Sequence, residues 1–427
     1  MSDKDTFDLN IINETITNGR VNNKRTAMNP MAINSITYVN SKNGKVQTQK
    51  YLEMQDIVVP VIIKKDKKTG ELYFAMQYEY NPSSKYGVQL DLPDFPFFDE
   101  KKDDYSNGDI TECLEENLSY LGLEMIGFKY LDSGVTAINQ SITDQIMKVV
   151  YVYVKDNDEI DNNLEWYPAS CLQDYLSFKH DNELSSTYGC VITKYALKLF
   201  YEKFKNEINK KEQVKFTYRD DIFKGTSPWR QTKIIMEHKY RFGETLTEIQ
   251  QTTQDITNYG SFVEMGTSKK SVECLIVRRE NGKLKIGLSR QQRSPFIARK
   301  GIDEFFYEEV GGMLEEGECF EDALKREVPE ETGFKIENGK LHKLLNATLI
   351  GKGSQESSAF YIYEMDGTEK YVGQELDADE SIDDIEWFDL EEIDLNKFHA
   401  PILTKYAILL ARDFFGRTKD IEKEFDR

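Results

Sequence analysis

Residues 311–334 read GGMLEEGECFEDALKREVPEETGF, and ten of these twenty-four residues are charged, eight of them acidic. Apolar residues at helical spacing, bounded by glycines, predict a helix over 319–332. Glu327, Glu330 and Glu331 fall in its last turn, where the helix dipole is already negative. Their spacing also places three like charges on one face, where they repel. A merely solvated helix would carry lysines there, so we infer that cations bind against this face.

The acidic face has the chemistry of a divalent-metal site. Carboxylate oxygens are the ligands that Mg²⁺ or Mn²⁺ prefers, and two such ions can clamp a phosphoanhydride. Gly312, just before the helix, has the backbone freedom to bring its carbonyl to the same ions. The predicted metal ligands are Gly312, Glu327, Glu330 and Glu331, and a solvated acidic helix is the alternative. Pro329 is expected to weaken the helix, because proline cannot donate a backbone hydrogen bond.

The same segment resembles the Nudix box, G-x5-E-x7-R-E-U-x-E-E-x-G-U, in which U is a bulky apolar residue. Every specified position has a counterpart at the required spacing: Gly312, Glu318, Arg326, Glu327, Val328, Glu330, Glu331, Gly333 and Phe334. The resemblance implies the Nudix α/β/α fold and metal-dependent hydrolysis of a nucleoside diphosphate linked to another moiety. It also implies that the catalytic set comprises Glu327, Glu330, Glu331 and Arg326, in which the glutamates hold Mg²⁺ or Mn²⁺ and the arginine orients the loop and helix.

Two neighbouring motifs narrow the substrate class. RQQRSPF (290–296) resembles the Q-x-R-x-P pattern of ADP-ribose and nucleotide-sugar pyrophosphatases, and Arg293 would then bind the phosphates or the terminal ribose. YEEVGG (307–312) resembles the E-L-P-A-G stretch of the same enzymes, which makes Glu308 or Glu309 a further metal or substrate ligand. We assign Glu308 to substrate binding. The alternative for Arg293 is an ordinary surface position in a polar loop.

A general base is expected from a loop beyond the box. LDADESIDDIEW (376–387) offers Glu380. GKGSQESSAFYIYEM (351–365) resembles the S-P-G-x-x-x-E loop of the same enzymes and offers Glu356. The resemblance favours Glu380 as the catalytic base and makes Glu356 a substrate-binding residue or the second candidate base. Solvated loop carboxylates are the alternative for both.

The chain also contains an internal repeat. Similar stretches recur in the same order about 210 to 220 residues apart: FAMQYEYNP (74–82) with IGLSRQQRSP (286–295), VQLDLPDFPFFDE (88–100) with FYEEVGGMLEEGE (306–318), LEWYPASCLQDYL (164–176) with IEWFDLEEIDLNKF (385–398), and ITKYALKLFYEKF (192–204) with LTKYAILLARDFF (403–415). Apolar runs predict strands, for example over 56–65 and 272–279, and amphipathic runs predict helices, for example over 191–206. The sequence therefore predicts two α/β domains with mixed sheets in tandem, residues 1–210 and 211–427, each a Nudix α/β/α sandwich.

The first copy lacks the acidic cluster. Glu116-Asn117 stand opposite Arg326-Glu327, Tyr120-Leu121 stand opposite Glu330-Glu331, and Asp94 stands in place of Gly312. Residues 1–210 are therefore expected to be a degenerate, catalytically inactive Nudix-like domain. Because many ADP-ribose-type Nudix enzymes are homodimers whose subunits complete each other's pockets, the resemblance implies an intramolecular pseudo-dimer. It leaves open whether the chain dimerises again.

Composition restricts the partners. The net charge of −20 disfavours nucleic acid and anionic membranes, because both attract basic surfaces. Five scattered cysteines without a C-x-x-C motif, together with a polar N-terminus, predict a cytoplasmic protein. The expected partner is a small nucleotide, either an ADP-ribose-like molecule or a dinucleotide polyphosphate, NADH or another nucleotide signal. The alternative from another class is a non-catalytic nucleotide sensor, although sensors of that kind usually lose box carboxylates that this chain keeps.

Overall fold

Two mixed β-sheets, one built mainly from each half of the chain, form the framework of the protein. The computed structural model describes residues 32–54, 56–80, 88–97, 107–138, 143–155, 164–177, 189–217, 231–239, 245–252, 257–264, 270–297, 299, 302–336, 338–349, 357–376 and 381–425. A hairpin of β1 (Ala32–Val39) and β2 (Val46–Glu53) precedes the first sheet. An antiparallel sheet of β10 (Gln231–Lys239), β11 (Thr245–Thr252) and β12 (Thr257–Glu264) precedes the second.

The first half of the chain combines one mixed sheet with helices. Its elements are β3 (Asp56–Lys65), β4 (Leu72–Tyr80), β5 (Val88–Asp91), β6 (Phe95–Phe97), α1 (Asn107–Tyr120), β7 (Met125–Ala137), β8 (Ile146–Val154), β9 (Leu164–Pro168), a 3-10 turn (Ala169–Cys171), α2 (Leu172–Leu176) and α3 (Val191–Ile208). The first eight residues of β3, DIVVPVII, are all buried. Continuous burial of such a β-branched run requires cover on both faces of the sheet.

The second half is built in the same way. Its elements are β13 (Lys270–Glu280), β14 (Lys283–Gln292), α4 (Ser294–Ile297), β15 (Phe305–Glu308), β16 (Val310–Met313), α5 (Phe320–Thr332), β17 (Lys340–Leu349), β18 (Ser357–Glu364), β19 (Glu386–Asp389), β20 (Ala400–Pro401) and α6 (Ile402–Phe425). The strand β20 leaves this half and pairs in parallel with β7 of the first sheet.

The two sheets share one pattern of strand pairing. Each has a central strand, β3 or β13, that pairs in parallel with β8 or β18. The same central strand pairs antiparallel with β4 and β6, or with β14 and β16. The following strand, β4 or β14, also pairs with two short strands, β5 and β9 or β15 and β19. The predicted mixed α/β fold is confirmed, and the tandem second domain stays a prediction.

A shared hydrophobic core joins the two halves. Helix α3 packs on the first sheet, α6 packs on the second, and the two helices contact each other. Phe200 of α3 and Tyr406 of α6 belong to the same buried cluster as Val61 of β3 and Leu275 of β13. The two halves therefore pack against each other and do not form independent units.

The sequence patterns locate the main elements correctly. The runs at 56–65 and 272–279 form β3 and most of β13, and the patterns at 191–206 and 319–332 form α3 and α5. Among the described helices, none has the length and apolar content that a bilayer crossing requires.

Candidate active site

Helix α5 presents the acidic segment. It starts after Cys319 and stops where Gly333 takes a left-handed conformation, with φ of 69°. Ala323, Leu324 and Val328 pack against β13 and β18 in one buried cluster, which leaves the charged face turned away from that core. The helix is not interrupted at Pro329, because the proline lies in the last turn. There it loses one backbone hydrogen bond, and its own carbonyl accepts from the Gly333 N–H at 2.9 Å.

Arg326 forms hydrogen bonds with several carboxylates on the charged face. Its Nε and Nη2 donate to the two carboxylate oxygens of Glu318 at 3.2 and 3.0 Å, and Nη2 also donates to the Met313 carbonyl at 3.0 Å. Its Nη1 lies 2.5 Å from Glu327 Oε1 and 3.5 Å from Glu330 Oε2. The hydrogen bonds from Arg326 hold the pKa of Glu318 below its usual range. Arg326 therefore connects the loop before the helix to the helix itself, and its catalytic role stays a prediction.

Gly312 and Glu327 lie in direct contact. Gly312 is paired with Val272 across the β13–β16 ladder, and the Glu327 side chain, 12% exposed, rests against it. A Cβ built on Gly312 would overlap the Glu327 carboxylate. Only glycine lets the carboxylate approach this backbone, so the structure brings together two of the residues that the sequence predicted as metal ligands.

The three predicted metal-binding carboxylates differ in exposure. The Glu330 side chain is 41% exposed, whereas Glu331 is buried, and Glu327 lies between these extremes. In the described part of the chain, no three His, Cys, Asp or Glu side chains are grouped so that they could hold a metal ion. The Arg326 Nη1 contacts both Glu327 and Glu330 and offsets part of their negative charge. The donor chemistry nevertheless fits Mg²⁺ or Mn²⁺, since hard carboxylate oxygens meet the backbone at a position that only glycine can occupy.

Arg293 and Glu308 are brought together by the pairing of β14 with β15. Arg293 Nε donates to Glu308 Oε1 at 2.7 Å, and Nη2 donates to Oε2 of the same carboxylate. The side chains are 18% and 7% exposed, so the fork is largely shielded from water. The two predicted substrate-binding residues therefore form a bidentate ion pair with each other.

Glu273 and Glu309 are both buried, and Glu273 was not anticipated from the sequence. Glu273 accepts hydrogen bonds from Ser271 and Ser358 and packs against Gly311, on the face of the sheet opposite α5. The buried Glu309 lies beside Thr404 and Glu273, and burial raises the pKa of Glu309 to about 7. The sequence signal for Glu273 is its position as a lone acid inside the apolar run SVECLIV (271–277).

The two candidates for the general base, Glu356 and Glu380, lie outside the described residues. Their neighbours are described: Ser357 opens β18, and the Ser381 carbonyl accepts the Gln292 N–H at 3.2 Å. The segment that begins at Ser381 therefore contacts the strand that leads to Arg293.

Comparison with known proteins finds similarity in the second half. Residues 267–406 match the NUDIX domain. The chain is also 26% identical over 151 residues to an oxidized purine nucleoside triphosphate hydrolase of Danio rerio, a match that covers 35% of this chain and 85% of that protein. Both matches support the Nudix superfamily and a hydrolase of phosphoanhydride bonds, which confirms the predicted enzyme class.

Proposed function

We propose that the Nudix domain at residues 267–406 is a divalent-metal-dependent pyrophosphohydrolase that cleaves the diphosphate of a nucleoside diphosphate derivative, with ADP-ribose or a nucleotide sugar as the substrate class. The observation that carries this proposal is the contact between Glu327 and Gly312 beneath the Arg326 network. A carboxylate held against a glycine backbone has the donor chemistry for a hard cation next to a diphosphate.

Gly312, Glu327, Glu330 and Glu331 would hold Mg²⁺ or Mn²⁺. When bound, such ions neutralise the charge of the diphosphate and make water a better nucleophile. Glu327 and Glu330 share the Nη1 nitrogen of Arg326, so this arginine offsets their mutual repulsion and keeps both carboxylates oriented. Glu380 would take the proton of the attacking water, with Glu356 as the second candidate.

Arg293 would bind a substrate phosphate. In the structure its guanidinium is hydrogen-bonded to Glu308 through two nitrogens, and a pair of phosphate oxygens can accept the same bidentate hydrogen bonds. Glu308 therefore holds the guanidinium fork in one orientation before the substrate arrives, and a phosphate must share the fork with this carboxylate or displace it. This arrangement makes Glu308 a residue that tunes affinity for anionic substrates.

A nucleoside triphosphate is the second candidate substrate, because the Danio rerio relative is named for one. The two classes are distinguished by their products. Hydrolysis of ADP-ribose yields AMP and ribose 5-phosphate, whereas pyrophosphohydrolysis of a triphosphate yields a monophosphate and pyrophosphate. Chromatographic analysis of the products decides between the two substrate classes. The substrates to be tested with Mg²⁺ and with Mn²⁺ are ADP-ribose, nucleotide sugars, dinucleotide polyphosphates, NADH and oxidised purine triphosphates. A protein that binds one of these nucleotides without turnover would instead be the sensor.

The first half would be the degenerate copy and would act as an intramolecular pseudo-partner. The equivalent strand pairings support this proposal, as does the end of α1, where Gly122 has φ of 69° as Gly333 does after α5. Phe95, rather than the Asp94 expected from sequence, lies opposite Val58 in the ladder as Gly312 lies opposite Val272. A buried phenylalanine at this position leaves no room for a carboxylate-bound cation.

The β1–β2 hairpin supports the pseudo-partner role. The Ser41 N–H donates to Gln292 Oε1 at 3.0 Å, and the Ser41 hydroxyl lies 2.7 Å from the Ser381 hydroxyl. These contacts place the first half against the residues that adjoin Arg293 and Glu380.

The test of catalysis is the variant Glu330→Gln, with Glu316→Gln as its control. Glu316 is an exposed carboxylate in the loop before the same helix, so the control makes the same charge change outside the cluster. We expect Glu330→Gln to lower kcat on the order of 100-fold while its melting temperature stays close to that of the wild type. Full turnover by Glu330→Gln would contradict the proposed role of the cluster.

A further inference from the structure

The segment from Arg293 to Arg299 leaves the active site and enters the first half of the chain. Backbone hydrogen bonds hold the start of the segment: the Arg293 N–H donates to the Glu304 carbonyl at 2.8 Å, and the Phe296 N–H donates to the Arg293 carbonyl at 3.0 Å. The Arg299 N–H then donates to the Phe296 carbonyl at 3.0 Å. Two consecutive hydrogen bonds, which meet at Phe296, therefore connect the two arginines along the backbone.

Two anchors of this segment are provided by the first half. The Ser294 hydroxyl donates to Gln49 Oε1 of β2 at 2.7 Å. Phe296 is fully buried in a cluster with Ala137 and Ile146 of the first half. These contacts fix the middle of the segment to the hairpin and to the first sheet.

Arg299 is the third and strongest anchor. Its side chain is 2% exposed, and its Nη1 and Nη2 donate to the two carboxylate oxygens of Asp56 in β3, the Nη1–Oδ1 distance being 2.9 Å. Nη1 also donates to the Asp144 carbonyl, and Asp56 Oδ1 accepts the Ile146 N–H at 2.9 Å. Such a planar fork fixes direction as well as distance, and loss of one partner leaves a buried charge uncompensated.

The Arg299–Asp56 pair is not needed simply to hold the two halves together, because another buried ion pair links them. Lys405 of α6 and Asp132 of β7 form a second buried ion pair across the same boundary, 3.1 Å apart and almost fully shielded. Thr136 and Tyr195 complete that pair. Arg299 lies two backbone turns from Arg293, whereas Lys405 lies in α6.

We propose that Arg299 is a positioning residue for the hydrolase: its pair with Asp56 fixes segment 293–299 and thereby the direction in which Arg293 meets the substrate phosphates. The inference rests on the proposed phosphate-binding role of Arg293. The first half would then contribute to substrate affinity through the buried carboxylate of Asp56 rather than through contact with the nucleotide.

The test compares two cross-boundary ion pairs in the full-length protein. Arg299→Lys and Asp56→Asn perturb the proposed anchor, and Lys405→Met and Asp132→Asn are the controls. With ADP-ribose and with an oxidised purine triphosphate as probes, we expect the anchor variants to raise KM on the order of tenfold while kcat changes little, because misplacement of a positioning group weakens substrate binding. The controls should lower the melting temperature without a change in KM. Equal KM shifts in both sets, or none in folded Arg299→Lys, would overturn the proposal.

Chemical rescue and hydrogen exchange supply readouts that a structural role would not move. Millimolar guanidinium should pair with Asp56 and raise the melting temperature of Arg299→Ala, but KM should stay high because the free cation is not linked to the backbone of the segment. Recovery of KM together with stability would count against the anchor. The amides of Phe296 and Arg299 should exchange faster in Arg299→Lys than in Lys405→Met, and identical exchange in the two variants would count against the anchor. If the wild type hydrolyses none of the nucleotides, the proposed function fails, and the exchange experiment still decides whether Arg299 anchors the segment.

Discussion

Replacement of Gly312 by alanine tests the contact on which the proposed site depends. A Cβ on Gly312 would overlap the Glu327 carboxylate, and even the most distant of the three carboxyl atoms, Oε2, would be 2.7 Å from the new carbon. Ordinary contact requires about 3.4 Å or more, so the carboxylate must move by roughly 1 Å. Gly312 has no left-handed φ, so the substitution adds crowding without backbone strain. Overpacking of this kind costs about 1–3 kcal/mol of stability.

The displacement has a larger effect on catalysis than on folding. Misplacement of a catalytic group by about 1 Å costs on the order of 100-fold in rate, which is about 2.7 kcal/mol of transition-state stabilisation. Metal-dependent turnover and thermal melting should be measured for Gly312→Ala and for Gly127→Ala, where a new Cβ meets no atom within 4 Å. We expect a rate loss in the first variant only. A folded Gly312→Ala protein with kcat within about threefold of wild type would refute the reasoning.

Two further substitutions test the charge network and the buried acid. Arg326→Lys loses the bidentate hydrogen bonds to Glu318 and the shared contact with Glu327 and Glu330. We therefore expect the free energy of unfolding in urea to fall by about 1–3 kcal/mol, together with lower activity. Unchanged stability would argue against a central role for Arg326 in this charge network. Glu309 has a folded-state pKa of about 7 against an ordinary 4.5, so the folded state binds more protons between these values and stability falls as pH rises through that window. Glu309→Gln should remove this dependence, which amounts to on the order of 3 kcal/mol, and should exceed wild type in stability at about pH 8. Parallel pH profiles of the two proteins would contradict the assignment.

Local pattern accounts for α5 and for the contact between Glu327 and Gly312. The spacing of acidic and apolar residues defines the helix, and the glycine that precedes it has no side chain to exclude the carboxylate. Both features lie within one continuous segment, so their geometry is largely dictated by chain connectivity. The pairing of Arg293 with Glu308 depends instead on the register of β14 with β15, which no short motif specifies.

Long-range contacts are the features that the sequence did not reveal. Arg299 and Asp56 are 243 positions apart, and Lys405 and Asp132 are 273 positions apart. Nothing in a local pattern selects one partner for a buried charge when the chain offers 75 acidic residues. Burial of Glu309 was equally hidden, because the adjacent acids of YEEVGG are charged residues between two short strands and nothing in the motif shows that both are buried.

We propose that the last-turn glutamates of α5 bind divalent cations that also contact the diphosphate of the substrate. The direct measurement is anomalous diffraction from crystals of the full-length protein grown with Mn²⁺ and a non-hydrolysable ADP-ribose analogue. We expect a manganese peak within about 2.0–2.3 Å of oxygens from Glu327, Glu330 or Glu331, with the diphosphate of the analogue on the other side of the metal. A manganese peak elsewhere, or a diphosphate bound away from α5, would contradict it.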